Sequence, residues 1–322
     1  MIPRLSFAHL PTPIEELSRL SRLLGGPRLF VKRDDQTGLA FGGNKTRKLE
    51  YLLAEAQALG TDHVITAGAV QSNHCRQTAA AAARLGLKCT LILFGDPPSR
   101  PEANLWLDHL FGATIRWTER ARRDQTLQQT FEELQQQGEK PYLVPYGGSS
   151  PTGVLGYVFA MQEFLQQGLR AEAIVFASSS GGTQAGLVLG ARLFGYQGRL
   201  IGISVDEPRP NLQKQVAELA NQAAERLGEN ITVRPEEIEV EDAWAAPGYG
   251  VLTEAESEAI RLFARQEGLL LDPVYTGRAA AGLLGLIRKG VFTPKQTVLF
   301  WHTGGTPALF ATRYGGIVDG GV

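Results

Sequence analysis

Four short stretches carry side chains whose types and order could do chemistry. In Gly42-Gly43-Asn44-Lys45-Thr46-Arg47-Lys48, basic residues stand where a glycine loop runs into a helical pattern. The amino end of a helix is already positive, so cations gather there only against an anion or an electrophile. A lysine so placed gives up its proton more easily, because neighbouring positive charge disfavours the ammonium. The neutral amine is the form that makes a Schiff base with an aldehyde. Taken alone, the stretch also reads as a solvated basic patch.

The second stretch, Ser178 to Gly186, follows the strand-like run AIVFA and opens a helical pattern. Glycines allow a tight turn, and the first amides of a helix lack internal partners, so the junction forms a phosphate cup, with the hydroxyls of Ser180 and Thr183 as further donors. A nucleoside-triphosphate loop would place Lys after the final glycine, where Leu187 stands, and the three-glycine dinucleotide spacing fails at Thr183. A lone phosphate monoester is the better fit.

The third, Gly68-Ala69-Val70-Gln71-Ser72-Asn73-His74, is again a strand end entering a helix, and its backbone amides suit a carboxylate. Its bland reading is an ordinary helix cap by Ser72 or Asn73. The fourth gathers Pro247-Gly248-Tyr249-Gly250, Asp272 to Gly277 with Tyr275 and Thr276, and His302-Thr303-Gly304-Gly305. Tyrosines in such loops can stack on a planar ring or bond to it, although most tyrosines simply pack.

These stretches need a frame. Strand-like runs at residues 29–33, 63–68, 88–95, 173–177 and 200–205 alternate with helical patterns, as in an α/β fold with parallel sheets and ligands at the strand ends. Two such series are too long for one sheet, so two lobes are expected. The Pro-, Gly- and Ser-rich segment 141–157 reads as the return from the smaller lobe to the larger. The segment 125–138, rich in glutamine, reads as a solvated surface helix.

Composition narrows the function. With 322 residues, 32 basic and 33 acidic side chains and a net charge of -1, nucleic acid is not an expected partner. Prolines interrupt the N-terminal segment and no run is long enough for a membrane span, so a membrane is not expected either. Cys75 and Cys89 fit no metal-ligand spacing, which points to a reducing, cytoplasmic setting and no metal site.

Read together and in order, GGNKTRKLEYL, GAVQSNHCRQTAA, SSSGGTQAG, PGYG, DPVYTG and HTGG resemble the pyridoxal-phosphate enzymes of the D-cysteine desulfhydrase and 1-aminocyclopropane-1-carboxylate (ACC) deaminase family, over nearly the whole chain. The resemblance implies the fold type II architecture of the tryptophan synthase β subunit, with pyridoxal 5'-phosphate between two α/β lobes, residues 1–47 with 158–322 and residues 48–157. It implies that Lys45 carries the cofactor and Lys48 lies near its phosphate, which Ser180, Gly181, Gly182 and Thr183 cradle. By the same resemblance Asn73 bonds to the phenolic oxygen, and Ser72 with Asn73 and His74 holds the substrate carboxylate. Tyr249 and Tyr275 are the active-site tyrosines. A homodimer acting on a small amino acid follows from the resemblance as well.

Within that family the ACC deaminases resemble this chain less. They carry Glu and Leu where Thr276, which the resemblance implies contacts the substrate, and Thr303 stand here, and commonly Gln where His74 stands. Thr303 can bond to a pyridine nitrogen without protonating it, a milder electron sink that suffices for β-elimination. With the handedness supplied by the resemblance alone, the reaction it implies is conversion of D-cysteine to pyruvate, hydrogen sulfide and ammonia. Other readings are a related lyase acting on L-cysteate, β-chloroalanine or D-serine, then ACC deamination, and outside catalysis a pyridoxal-phosphate carrier or sensor.

Overall fold

The structure, a computed structural model, describes residues 2–318 of the 322. Strands and helices alternate in the order β1 (Ile14–Glu16), α1 (Ser18–Leu24), β2 (Arg28–Arg33), α2 (Asn44–Ala58), β3 (His63–Ala69), α3 (Asn73–Leu85), β4 (Lys88–Phe94), α4 (Ala103–Leu110), β5 (Thr114–Thr118), α5 (Arg123–Gln136) and β6 (Pro141–Leu143). The chain continues through α6 (Pro151–Gln166), β7 (Ala173–Ser178), α7 (Gly182–Phe194), β8 (Arg199–Ser204), α8 (Arg209–Leu227), β9 (Val240–Glu241), α9 (Glu254–Glu267), α10 (Thr276–Arg288) and β10 (Thr297–His302).

Two sheets result, as the alternation requires. The larger runs β1-β2-β10-β7-β8-β9 and the smaller β5-β4-β3-β6. Every pairing is parallel except β1 with β2. Strands covered by helices on both faces read as continuous apolar runs: all six residues of β7 are buried. In α5 only Thr130 and Leu134 are buried, in keeping with a surface helix.

Helices α2, α6 and α7 lie between the sheets and decide where the chemistry sits. Their backbones come close because glycines face them: a Cβ on Gly156 would lie 2.5 Å from the Arg47 carbonyl oxygen, and one on Gly186 2.4 Å from the Tyr157 Cβ. Residue 157, the expected divide between lobes, falls inside α6. There Val154, Tyr157, Val158 and Met161 join the cores beneath the larger sheet. Leu49, Leu52, Leu53 and Ala56 of α2 join the core of the smaller one.

Under the first turn of α2 lies a buried ionic knot. Asp34, fully buried, accepts hydrogen bonds from Arg47 at two nitrogens (2.8 and 2.9 Å), Thr12 Oγ1 (2.8 Å), Tyr157 Oη (2.6 Å) and Trp301 Nε1 (2.9 Å). Arg47 also forks onto Glu163, which accepts from Lys32 at 2.6 Å. A buried acid survives only when so paired, and this one ties β2, α2, α6 and β10 together.

Candidate active site

The carboxyl ends of β3, β6, β7 and β10 open onto one cleft. Its walls include Asn44, Lys45, Ser72, Asn73, His74, Tyr146, Ser178, Ser180, Gly181, Thr183, Tyr275 and Thr303. Stretches far apart in the chain are thus brought to the place where parallel sheets leave room for a ligand.

Lys45 stands in the first turn of α2, whose preceding residue Gly43 (φ 124°) holds a backbone open only to glycine. Two residues on, Arg47 is locked into the ionic knot, so the turn is fixed from below. The Lys45 amine forms no ion pair or hydrogen bond among the described residues, and burial pulls its pKa down to about 8. The cause is loss of water; the repulsion expected from neighbouring cations falls on Lys48, which burial and then Lys45 push well below the ordinary lysine value. Lys48 is fully buried behind the cleft wall, its Nζ 3.2 Å from the Gly147 carbonyl oxygen and 3.5 Å from Ser149 Oγ.

The cup is built at the amino end of α7. Gly181 takes the left-handed conformation (φ 73°) that turns the chain into the helix. The Gly182 amide donates to Ser149 Oγ at 3.2 Å, Ser149 Oγ lies 2.8 Å from Ser180 Oγ, and Asn44 Nδ2 donates to Thr183 Oγ1 at 3.0 Å. Ser149 and Tyr146 belong to the segment read from sequence only as a return between lobes. Their one signal was the Tyr-Gly-Gly-Ser run itself.

Ser72 caps α3, its hydroxyl accepting from the Cys75 amide at 3.2 Å. The Asn73 oxygen accepts from Arg76 and Asn104, each at 2.9 Å, and its amide nitrogen has no acceptor among the described residues. His74 Nε2 lies 2.9 Å from Thr66 Oγ1, which gives its only proton to the Val144 carbonyl at 2.8 Å. His74 therefore carries its proton on Nε2. Burial and the two lysines hold the ring neutral, leaving Nδ1 a buried acceptor without a partner.

On the opposite wall, His302 accepts from the Gly304 amide (3.2 Å) and thereby shapes the turn that presents Thr303. The Thr303 hydroxyl makes no hydrogen bond among the described residues. Tyr275 lines the cleft. Tyr249 stands behind it, the two hydroxyls 2.8 Å apart, and burial raises both pKa values. Thr276 corrects an expectation: it is fully buried, its hydroxyl accepts from the Asp272 amide (2.7 Å) and donates to Asp272 Oδ1 (2.8 Å). Its one proton and one of its lone pairs go to starting α10, and Thr276 does not line the cleft.

Among the described residues, the cleft therefore has one lysine in its wall and another behind it, neither with a carboxylate partner, a ring of hydroxyls and helix amides, and two buried side-chain atoms without a hydrogen bond, His74 Nδ1 and Ser178 Oγ. Uncompensated buried polar groups of this kind call for a ligand. The family description "Pyridoxal-phosphate dependent enzyme" matches residues 5–304. The chain belongs to the pyridoxal-phosphate dependent enzymes. Such an enzyme holds a phosphorylated aldehyde, and the observed groups fit it: the amine at Lys45, the cup at Ser178–Thr183 for the phosphate, and the Asn73 donor for a ring oxygen.

Two other likenesses refine the placement within the pyridoxal-phosphate dependent enzymes, and a third shows the fold alone. D-cysteine desulfhydrase of Salmonella typhimurium is 44% identical, with 96% of each chain covered. A crystal structure of an ACC deaminase homologue superposes with a TM-score of 0.91 at 40% identity, covering 99% of this chain and 96% of that one. Threonine deaminase isoform 2 from Solanum lycopersicum shares the fold at a TM-score of 0.65 and 16% identity, over 92% of this chain and 80% of its own.

Proposed function

We propose that this enzyme is a carbon–sulfur lyase that converts D-cysteine and water to pyruvate, hydrogen sulfide and ammonia. The observation that carries the reading is Lys45, an amine without a hydrogen-bond or ion-pair partner among the described residues, at the junction of the cup and the Asn73 wall. The Salmonella typhimurium relative and the Thr303 side chain favour desulfhydration.

The bound cofactor supplies an electron sink for the charge left at the amino acid's α-carbon. The rest of the work falls to the chain. Lys45, with a pKa of about 8, is the residue that would hold the cofactor's aldehyde, and as a free amine near neutral pH it could take the α-proton. Ser72 is a weaker base, since its oxygen already caps α3. The tyrosines keep their protons, so Tyr275 acts as a donor, backed by Tyr249. Sulfide needs little help to leave because thiols are acidic, with a free pKa of about 8.5. Thr303 can bond to the ring nitrogen without giving it a full charge.

A panel of D- and L-amino acids, with pyruvate and sulfide as readouts, tests the reading. D-cysteine is expected to give both products in equal amounts. Pyruvate from D-serine or β-chloroalanine at a higher kcat/KM, or 2-oxobutanoate from the cyclopropane amino acid, would replace it. We infer a homodimer, from the family, in a cytoplasmic setting, from the cysteine usage; sedimentation checks the dimer. Among the described residues no helix is long and apolar enough to cross a membrane.

A further inference from the structure

Asn73 does not hold its own orientation. Its amide oxygen is gripped by two donors, Arg76 Nη1 and Asn104 Nδ2, each at 2.9 Å. Those donors brace one another, Arg76 Nη1 reaching Asn104 Oδ1 at 2.7 Å. Asn104 is pinned in turn, since its backbone amide donates to Gln71 Oε1 and its side-chain nitrogen to the Gln71 carbonyl, both at 2.9 Å. The other end of the guanidinium donates to the Gly42 carbonyl at 2.9 Å, which also accepts from Gln77 Nε2 at 2.7 Å. Gly42 lies three residues before Lys45. One fully buried cation thus touches both the loop that delivers Lys45 and the side chain opposite it.

Two consequences follow from hydrogen-bond chemistry. With both lone pairs of Oδ1 occupied, the Asn73 amide cannot flip, and its NH2 faces the turn at Gly305, where a Cβ would come within 2.8 Å of Nδ2. A charged donor on the oxygen also polarises the amide and makes that NH2 a stronger donor. Arg76 forms no ion pair among the described residues, so its charge is not cancelled by a direct partner.

Resting on the reading of this cleft as a pyridoxal-phosphate site, the geometry points to Arg76 and Asn104 as positioning residues that fix Asn73 as a donor to the cofactor's phenolic oxygen. They touch neither substrate nor cofactor. Their effect is read in the cofactor's own titration, because a strong donor favours the deprotonated oxygen. The other titratable groups around the cleft are Lys45 and Lys48 on α2, His74 on α3, and Tyr146, Tyr249 and Tyr275; Asp108 on α4 and Asp272 act on Arg76.

The test uses holoenzyme carrying Asn104→Asp, an isosteric change that turns the gripping NH2 into an acceptor and invites Asn73 to flip. Arg76→Lys keeps the charge but not the fork, and the milder Gln71→Ala removes only one brace of Asn104. Absorbance of the bound cofactor is titrated against pH, alongside kcat and KM for D-cysteine and circular dichroism for the fold. The pH midpoint is expected to rise by about half a unit or more in Asn104→Asp and Arg76→Lys. kcat should fall about tenfold with KM nearly unchanged, and Gln71→Ala should move both quantities less in the same direction. A midpoint and kcat equal to those of the unaltered enzyme in any folded variant of Arg76 or Asn104 overturns the proposal. If those variants do not fold, an unmoved midpoint in Gln71→Ala overturns it. Failure of the unaltered protein to bind the cofactor would instead reject the site reading.

Discussion

At Lys45 the decisive quantity is proton affinity. Burial without a carboxylate partner sets its pKa near 8, so the amine is mostly protonated below that pH and mostly free above it. Cofactor uptake by the apo-protein needs the free amine. Its rate is predicted to rise about tenfold per pH unit on the acid side and to level off above pH about 8, as followed by stopped-flow absorbance. A flat profile from pH 6 to 9 would mean that another group limits uptake. Much of this wall was legible beforehand, because glycine-rich strand-to-helix junctions announce Lys45, Asn73, Ser180 and Thr183 by composition. Tyr146 and Ser149 were missed because the same composition marks a connecting loop. Thr276 was misplaced because a hydroxyl that folds back on Asp272 has the same sequence signature as one that faces a ligand.

At the element scale, two buried charges hold the catalytic segments. Asp34 anchors the first turn of α2, and its charged neighbours Arg47 and Lys32 and the Tyr157 hydroxyl hold its pKa far below the usual range against the opposing effect of burial. Such a depressed acid contributes stability that is present above its unfolded pKa of about 3.9 and is lost as pH falls below it. Asp34→Asn is predicted to cost about 3–5 kcal/mol at pH 7 in urea unfolding, with the gap to the unaltered protein narrowing as pH falls below about 4. A gap that stays constant with pH would remove Asp34 from the acid sensitivity. Arg278 plays the matching part opposite. Fully buried and paired with Glu256 at 2.7 Å, it donates to the carbonyls of Gly248 at 3.0 Å and Val251 at 2.8 Å, and also to that of Val205. It thereby holds the loop carrying Tyr249. Arg278→Gln is predicted to cost about 3 kcal/mol or more and to lower kcat more than KM; unchanged unfolding and kinetics would show the loop to be held otherwise. None of this clamping is readable from sequence, where Arg278 is one of two arginines in an otherwise apolar helix.

Across the whole molecule, strand-helix alternation in the sequence implies two mostly parallel sheets, whereas the way α6 joins the larger lobe's cores depends on glycines meeting helices across space. The cleft draws its walls from both sheets, so a ligand that fills it ties the lobes together. Arg120 of the smaller lobe already spans the gap, stacked over the Tyr249 ring at 5.9 Å and 3.9 Å from Asp206. Cofactor at a hundred times its Kd is predicted to stabilise the protein by about 2.7 kcal/mol through mass action alone, seen as a rise in Tm, and Lys45→Ala should lose most of that gain while keeping the fold. The most direct measurement is borohydride reduction of the holoenzyme followed by peptide mapping. One pyridoxyl group per chain is expected, on Lys45. The same group on Lys48 or any other lysine, or no adduct in an active preparation, would contradict it.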